Sequence, residues 1–169
     1  MMPALAIRAE RPENHAAIRR VHELAFGQVD EADLVEALRA AGDHVSRLCL
    51  VAVDGDDVVG HIFFSEARLD TGVPVLALAP MGVLPDRQRQ GVGSVLMREG
   101  LRRAAATDFP LVVVVGHAGY YPRFGFERGE DHGVACPFPV PAEAWMVHLL
   151  PAYRPQARGM VEYPEAFGL

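Results

Sequence analysis

Apolar residues recur along this chain with two periods, and the switching between them lays out the elements. From Glu13 to Phe26, the apolar residues Ala17, Ile18, Val21, Leu24 and Ala25 fall at helical spacing, while Arg19, Arg20 and Glu23 lie elsewhere on the wheel. Pro12 fits the first turn of this helix, since proline lacks only an N–H that is unpaired there anyway. A second helix is expected from Asp30, read as its cap, with Leu34, Leu38 and Ala41 on one face and Gly42 as its stop. Leu5 to Arg8 reads as a short strand ahead of both. Two further strands, Leu48–Val53 and Val58–Leu69, are joined through Asp54-Gly55-Asp56-Asp57, whose Asp-Gly pair signals a hairpin. Another strand runs from Val75 to Leu84; Pro80 inside it cannot donate to a ladder, which predicts an edge or a bulge.

The strongest helical pattern runs from Gly91 to Ala106, with Leu96, Met97, Gly100, Leu101 and Ala104 on one face and Arg98, Glu99, Arg102 and Arg103 on the other. Leu111–Val115 follows as a continuous apolar run, the pattern of a strand buried on both faces. Strands are also expected at Phe126–Arg128, near Trp145–Leu150 and at Gly159–Tyr163. Residues 134–169 are Pro-rich, but Phe138, Trp145, Met146, Leu149 and Leu150 are too apolar to be left in water, so this region is expected to pack on the sheet. The order of elements is that of a single α/β domain over residues 1–169 with a mixed sheet, not an evenly alternating parallel one.

Composition narrows the chemistry. Of 169 residues half are hydrophobic and 22% charged, enough apolar mass for a globular core. The net charge of −6 argues against a general nucleic-acid binder and mildly favours cationic partners. All 16 basic residues are Arg, so chemistries that need a Lys, whether a phosphate-binding Walker loop, a Schiff base or a kinase, are excluded. Cys49 and Cys136 belong to no metal or disulfide pattern, and Cys49 reads as an inert buried thiol. The amino-terminal apolar stretch is too short for a signal peptide and no run reaches a membrane span, so a cytoplasmic protein with no membrane partner is expected.

The candidate chemistry centres on Gln88-Arg89-Gln90-Gly91-Val92-Gly93-Ser94, between a strand and the best helix. Gly91 and Gly93 let a backbone approach a ligand closely, and the first turn of the helix offers free N–H groups and the positive end of its dipole. Together they make an anion cradle suited to a pyrophosphate. The Rossmann pattern fails because the third glycine position is Leu96. No HExxH, calcium loop or Gly-x-Ser-x-Gly elbow is present, and no metal is expected.

These residues resemble the GNAT superfamily of N-acetyltransferases. Its acetyl-CoA motif is a strand ending near Val-x-Pro, then Gln/Arg-x-x-Gly-x-Gly/Ala, then a helix; here stand Met81-Gly82-Val83-Leu84-Pro85, then Gln88-x-x-Gly91-x-Gly93. The second mark, a Tyr shortly before a Gly-Phe pair, is matched by Tyr121-Pro122-Arg123-Phe124-Gly125-Phe126. The Tyr-Tyr pair and the region after it look most like the YhbS-like group. The resemblance implies a mostly antiparallel central sheet flanked by helices, bulged and splayed at the cofactor cleft. It implies that backbone groups of Met81, Gly82 and Val83 hold the pantetheine arm of acetyl-CoA. The N–H groups of Arg89, Gln90, Gly91, Val92, Gly93 and Ser94 would hold the pyrophosphate. Tyr121 is then the general acid for the departing thiolate, with Tyr120 assigned to packing. Arg87 and Arg89 read as solvated surface charges that could add to the cradle. An Asn that many family members carry seven positions before this Tyr is Val114 here; His117 is the nearest polar group to replace its cofactor contact.

A general base for the amine is not written in a motif. Glu66 lies near the end of a hairpin strand, close to where family bases occur, with His61, His117 and His132 as other titratable groups. The expected reaction is acetyl transfer from acetyl-CoA to a primary amine on a small molecule or peptide. The alternative is a catalytically weak acyl-CoA-binding regulatory module. Asp30, Glu31, Asp33 and Glu36 form a local acidic excess that reads as a solvated helix face but would suit a cationic amine. Oligomeric state, including a homodimer, stays open.

Overall fold

The structure, a computed structural model, describes residues 5–169; the first four residues, part of the stretch weighed above as a leader, lie outside the described residues. Strand β1 (Ala6–Ala9) leads through a short 3₁₀ turn into helices α1 (His15–Phe26) and α2 (Asp30–Ala41). Each helix ends on a left-handed glycine, Gly27 at φ 68° and Gly42 at φ 76°, a conformation that costs other residues a Cβ clash. Asp30 is not the cap the sequence suggested. Val29 holds that position, and Asp30, Glu31 and Asp33 occupy the first turn of α2, where their charge meets the positive end of the helix dipole.

Strands β2 (Leu50–Asp54), β3 (Asp57–Leu69) and β4 (Pro74–Val83) form an antiparallel meander, followed by α3 (Val92–Ala104) and β5 (Leu111–Val115). The remaining strands are β6 (Glu127–Arg128), β7 (Val134–Ala135), β8 (Trp145–Leu149) and β9 (Gly159–Glu162). The main path through the sheet is β1-β2-β3-β4-β5-β8-β6, and β9 joins the end of β3 and pairs with β7. Along that path only β4 and β5 run parallel. Among the described residues no helix is long and apolar enough to cross a membrane.

One irregularity positions everything that follows. Ile62 pairs with Met81 and Phe64 with Leu78, so the single residue Phe63 opposes both Ala79 and Pro80. This is the bulge that Pro80 predicted, and the Ala79–Pro80 peptide is cis. An extra residue reverses which face the following side chains occupy, because side chains alternate with period two. Before the bulge, Leu76 and Leu78 join the core beneath α3. After it, Met81 and Val83 pack on that same core, and Gly82 turns instead toward α1. The β4–β5 ladder is confined to Leu76–Val112 and Ala77–Val113, so the two strands part beyond it.

Helix α3 covers one face through Val92, Leu96, Met97, Leu101 and Ala104, packed on Leu50, Ile62, Phe64 and Val112. Helices α1 and α2 cover the other face through Ile18, Val21, Val35 and Leu38 against Val51 and Phe63. Farther along that face, residues 134–169 take over. Val134, Trp145, Val147, Ala157 and Val161 pack on Ala67, Leu69, Val75 and Val113. The Trp145 indole N–H donates to the Val134 carbonyl at 2.9 Å, so its one polar atom is satisfied inside the core. β8 also supplies the antiparallel partner of β5 along its full length, from Leu111–Leu149 to Val115–Trp145. A fragment ending at residue 133 would therefore expose both a bare sheet edge and an apolar face. We expect it to be insoluble or to lack a cooperative melt by circular dichroism; a soluble, cooperatively unfolding fragment would contradict this packing.

Candidate active site

The parting of β4 from β5 opens a cleft of about 520 Å³ bounded by Met81, Gly82 and Val83, by the loop into α3, and by Ala25 and Phe26 at the end of α1. The loop has the conformation of an anion cradle. Arg89 sits at φ 63°, the one non-glycine residue with positive φ among the described residues, and Gly91 at φ 87°. Left-handed residues within such a loop help turn backbone N–H groups toward a common side. The first turn of α3 adds N–H groups that precede the helix's own ladder, which begins with Val95 donating to Gly91 at 3.0 Å. Space at Gly93 is tight. A Cβ on it would lie 3.3 Å from the Tyr120 hydroxyl, with Met81 and Val83 just beyond.

Several side chains that line or flank the cradle are tethered. Arg87 is bound to Asp54 at 2.6 Å, Gln88 donates to the Val83 carbonyl at 3.0 Å and Gln90 to the Asp86 carbonyl at 3.1 Å. Ser94 and Arg89 line the cleft. So does Arg123, which sequence reasoning passed over; its guanidinium lies 4.9 Å from the centre of the Tyr120 ring. The signal was present in the spacing, because Tyr120 and Arg123 are three apart around a short 3₁₀ turn (Tyr121–Phe124) and so share one side of it.

The tyrosine pair divides differently from the sequence assignment. Tyr120, read there as packing, lines the cleft with its hydroxyl beside Gly93. Tyr121 lies behind it, edge-on to Tyr120 at 5.1 Å and to Phe126 at 5.5 Å, its ring pressed across Gly116 at the end of β5. Burial raises the Tyr121 phenol above its usual range, and Tyr120 adds to the rise, so it stays protonated at neutral pH.

The candidate bases scatter. Glu66 is opposite Leu76, six residues from Gly82 along β4, and lines a separate cavity of about 800 Å³ with His44, Arg68 and Tyr163. Its side chain is exposed and paired with Arg68 at 3.3 Å. The structure does not bring it to the cleft. His117 is exposed, and its carbonyl accepts the Tyr120 N–H at 3.0 Å. His132 lies against Glu127 and Tyr153 in the 134–169 region. The acidic face of α2 is drawn down by Arg19, which reaches Asp33 at 2.9 Å and Glu36 at 3.2 Å. Cys49 is fully buried, and burial pushes its thiol up and out of reach of ionisation. No group of three or more His, Cys, Asp or Glu placed to hold a metal occurs among the described residues.

His61 lies beside the cleft-lining Gly82 and contacts two neighbours the sequence did not single out. It sits opposite Gly82 in the β3–β4 register and is fully buried. Its Nε2 lies 2.8 Å from Glu10 Oε1 and its Nδ1 lies 2.8 Å from Nε2 of His22 on α1. Arg39 clamps the other Glu10 oxygen at 2.6 and 3.0 Å. Burial works against the Glu10 carboxylate, but His61 and Arg39 outweigh it and hold its pKa below the usual value. Burial, with a smaller push from His61, lowers His22 to about 3; burial lowers His61 as well.

The chain's relatives carry the same architecture. The family model described as an acetyltransferase (GNAT) domain matches residues 6–129. The chain belongs to the GNAT family. The Escherichia coli K12 protein described as the uncharacterized N-acetyltransferase YjhQ is 39% identical over 142 residues, covering 80% of this chain and 78% of that protein. The structure of Escherichia coli YhbS in complex with CoA superposes with a TM-score of 0.91 at 31% identity, covering all of this chain and 96% of that one. A GNAT acetyltransferase from Brucella melitensis, solved with acetyl-CoA, gives 0.81 at 33% identity over 98% of this chain and 99% of its own. The mixed, mostly antiparallel sheet flanked by helices is therefore the family fold.

The buried histidines make stability depend on pH. A histidine whose folded pKa is depressed binds fewer protons folded than unfolded, so stability falls as pH drops below the unfolded value of 6.5 and keeps falling toward about 3 for His22. Glu10, also depressed, has the same sign and adds to the loss below 4.5. We expect the melting temperature to fall continuously from pH 6.5 to pH 4, and His22→Phe to flatten that slope. A wild-type melting temperature that is level over this window would contradict neutral burial.

Proposed function

We propose that this protein transfers the acetyl group of acetyl-CoA to a primary amine. The observation that carries the reading is the cradle, in which two left-handed residues and a bare helix N-terminus face a cleft opened by the β4 bulge. Relatives with the same fold were solved with CoA and with acetyl-CoA. The residues here fit that cosubstrate. Gly93 leaves the space a Cβ would fill beside Tyr120, and the cradle offers N–H donors with Arg89 and Arg123 for a pyrophosphate. The free backbone of β4 beyond Ala77, no longer paired to β5, can accept the amide-rich arm as an added strand. A backbone N–H there would face the thioester oxygen, where negative charge gathers as the amine attacks.

Tyr121 is the general acid in this reading. It lies across Gly116 just after β5, behind Tyr120, which stands beside Gly93, and this reading sets its phenol toward the thiol end of the arm. A phenol held protonated by burial suits proton donation to a leaving thiolate. The acceptor would enter beside α1 and α2.

Four outcomes test this. Wild-type protein, acetyl-CoA and a panel of alkyl diamines, amino acids and a peptide with a free N-terminus should release free thiol in step with acetylated amine. Binding without turnover would instead support the regulatory module. Gly93→Val should weaken acetyl-CoA binding at least tenfold by calorimetry while the folded state persists; unchanged affinity would remove the cradle from the account. Tyr121→Phe should lower turnover by about 10²–10⁴-fold, the range for losing a general acid, with cofactor affinity within a few-fold. Tyr120→Phe should act mainly on affinity, and equal turnover in wild type and Tyr121→Phe would show that the thiolate leaves without this phenol.

A further inference from the structure

We propose that His22 is the general base for the acceptor amine, and that His61 and Glu10 are positioning residues that fix which of its nitrogens is free. The inference rests on the acetyl-transfer reading and assigns the group that reading lacks.

The hydrogen-bond chain has a direction. Arg39 holds Glu10 as a carboxylate, which can only accept, so His61 Nε2 must carry the proton in that 2.8 Å contact. Neutral His61 then has a bare Nδ1, which must accept, so His22 Nε2 carries the proton in the second 2.8 Å contact. His22 Nδ1 is left with a lone pair. This atom is buried and has no hydrogen-bond partner, and a residue of zero exposure rarely leaves a ring nitrogen unsatisfied.

Its direction points to a use. A Cβ on Gly82 would stand 2.8 Å from His22 Nδ1, so the nitrogen occupies the side-chain space that the glycine leaves empty. Gly82 is on the cleft wall, in the part of β4 freed from β5. Phe26 stacks on the His22 ring at 6.0 Å, is 41% exposed and lines the cleft with Gly82, so a displacement of its ring would open the nitrogen to an amine in the cleft. A neutral amine there donates one N–H to Nδ1. As its nitrogen bonds to the thioester carbonyl carbon, that proton moves to His22, the carbon–sulfur bond breaks, and the sulfur takes a proton from Tyr121. Amide and free thiol leave; the imidazolium, offset by Glu10 through His61, returns its proton to solvent as the phenolate regains one.

Glu10→Gln tests the direction at nearly constant size. Arg39 needs an acceptor, so the new amide must turn its oxygen to Arg39 and its NH₂ to His61. That forces both histidines into the opposite tautomer and puts a proton on His22 Nδ1, the wrong tautomer for a base. With the amine panel above, we expect turnover to fall about 10²–10⁴-fold while acetyl-CoA affinity, read by calorimetry, is unchanged. Nitrogen-15 NMR of the imidazoles should show the tautomer exchange. His22→Phe should lose turnover to a similar extent. If the wild type acetylates amines and Glu10→Gln does so equally fast, the relay is wrong and the acetyltransferase reading stands. If the wild type acetylates none, that reading falls and the relay with it. Should either variant fail to fold, the wild-type spectrum decides alone, because a proton on His22 Nδ1 at neutral pH would overturn the proposal.

Discussion

The bulge that sets Phe63 against Ala79 and Pro80 is the constraint on which the rest depends. Strand side chains alternate faces, so one extra residue exchanges the faces of all that follow. With it, Met81 and Val83 continue the apolar surface that Leu76 and Leu78 began under α3. Gly82 is then the residue beneath α1, where any Cβ would meet His22 and Ala25. Without it, a Met and a Val would be driven into the helix and the cleft wall would lose its floor. The same distortion accompanies the end of pairing with β5 after Ala77, which frees backbone groups for a ligand. Opening, lining and helix clearance thus share one local cause.

Around the cleft, charge is kept in place by pairing. Arg87, Arg39 and Arg19 are each engaged with carboxylates, and Arg87 still lines the cleft together with Arg89 and Arg123. Arg is suited to this division because its planar fork can bind a carboxylate or phosphate through two hydrogen bonds and can also stack on a ring, as Arg123 does on Tyr120. The surface pairs contribute little to stability individually. The buried group formed by Glu10, Arg39, His61 and His22 is of another kind. Low dielectric strengthens its hydrogen bonds and also makes each unsatisfied atom costly, so such a network specifies a single arrangement of α1 over β3 and β4.

Local chemistry explains what could be read ahead of the fold. The glycine stop of α2, the Pro80 irregularity and the cradle at Gly91 and Gly93 each depend on a residue's own backbone freedom or on its nearest neighbours, so the chain states them directly. The apolar periods of α3 and of β5 did the same for burial. Boundaries shifted by a residue or two where a 3₁₀ turn precedes an element, as Pro12–Asn14 does ahead of α1 and Ser46–Leu48 ahead of β2. The short strand β7 has only two residues and no pattern of its own; it exists because β9 runs beside it.

The site's second half was not local. Glu10 and His61 are 51 positions apart, and His22 and His61 are 39 apart. No spacing rule joins residues from the end of a strand, the middle of a helix and the interior of another strand. Glu66 was offered because it lies close to where family bases occur, but register sets it opposite Leu76, six residues from Gly82 along β4. Tyr120, read as packing, lines the cleft because a short 3₁₀ turn, and not the motif's order, decides which ring faces Gly93. The sequence by itself determined the elements, the bulge and the anion cradle, since these follow from single-residue conformations. Only the tertiary structure decided which titratable groups meet, because that depends on strand register and on the face each helix buries.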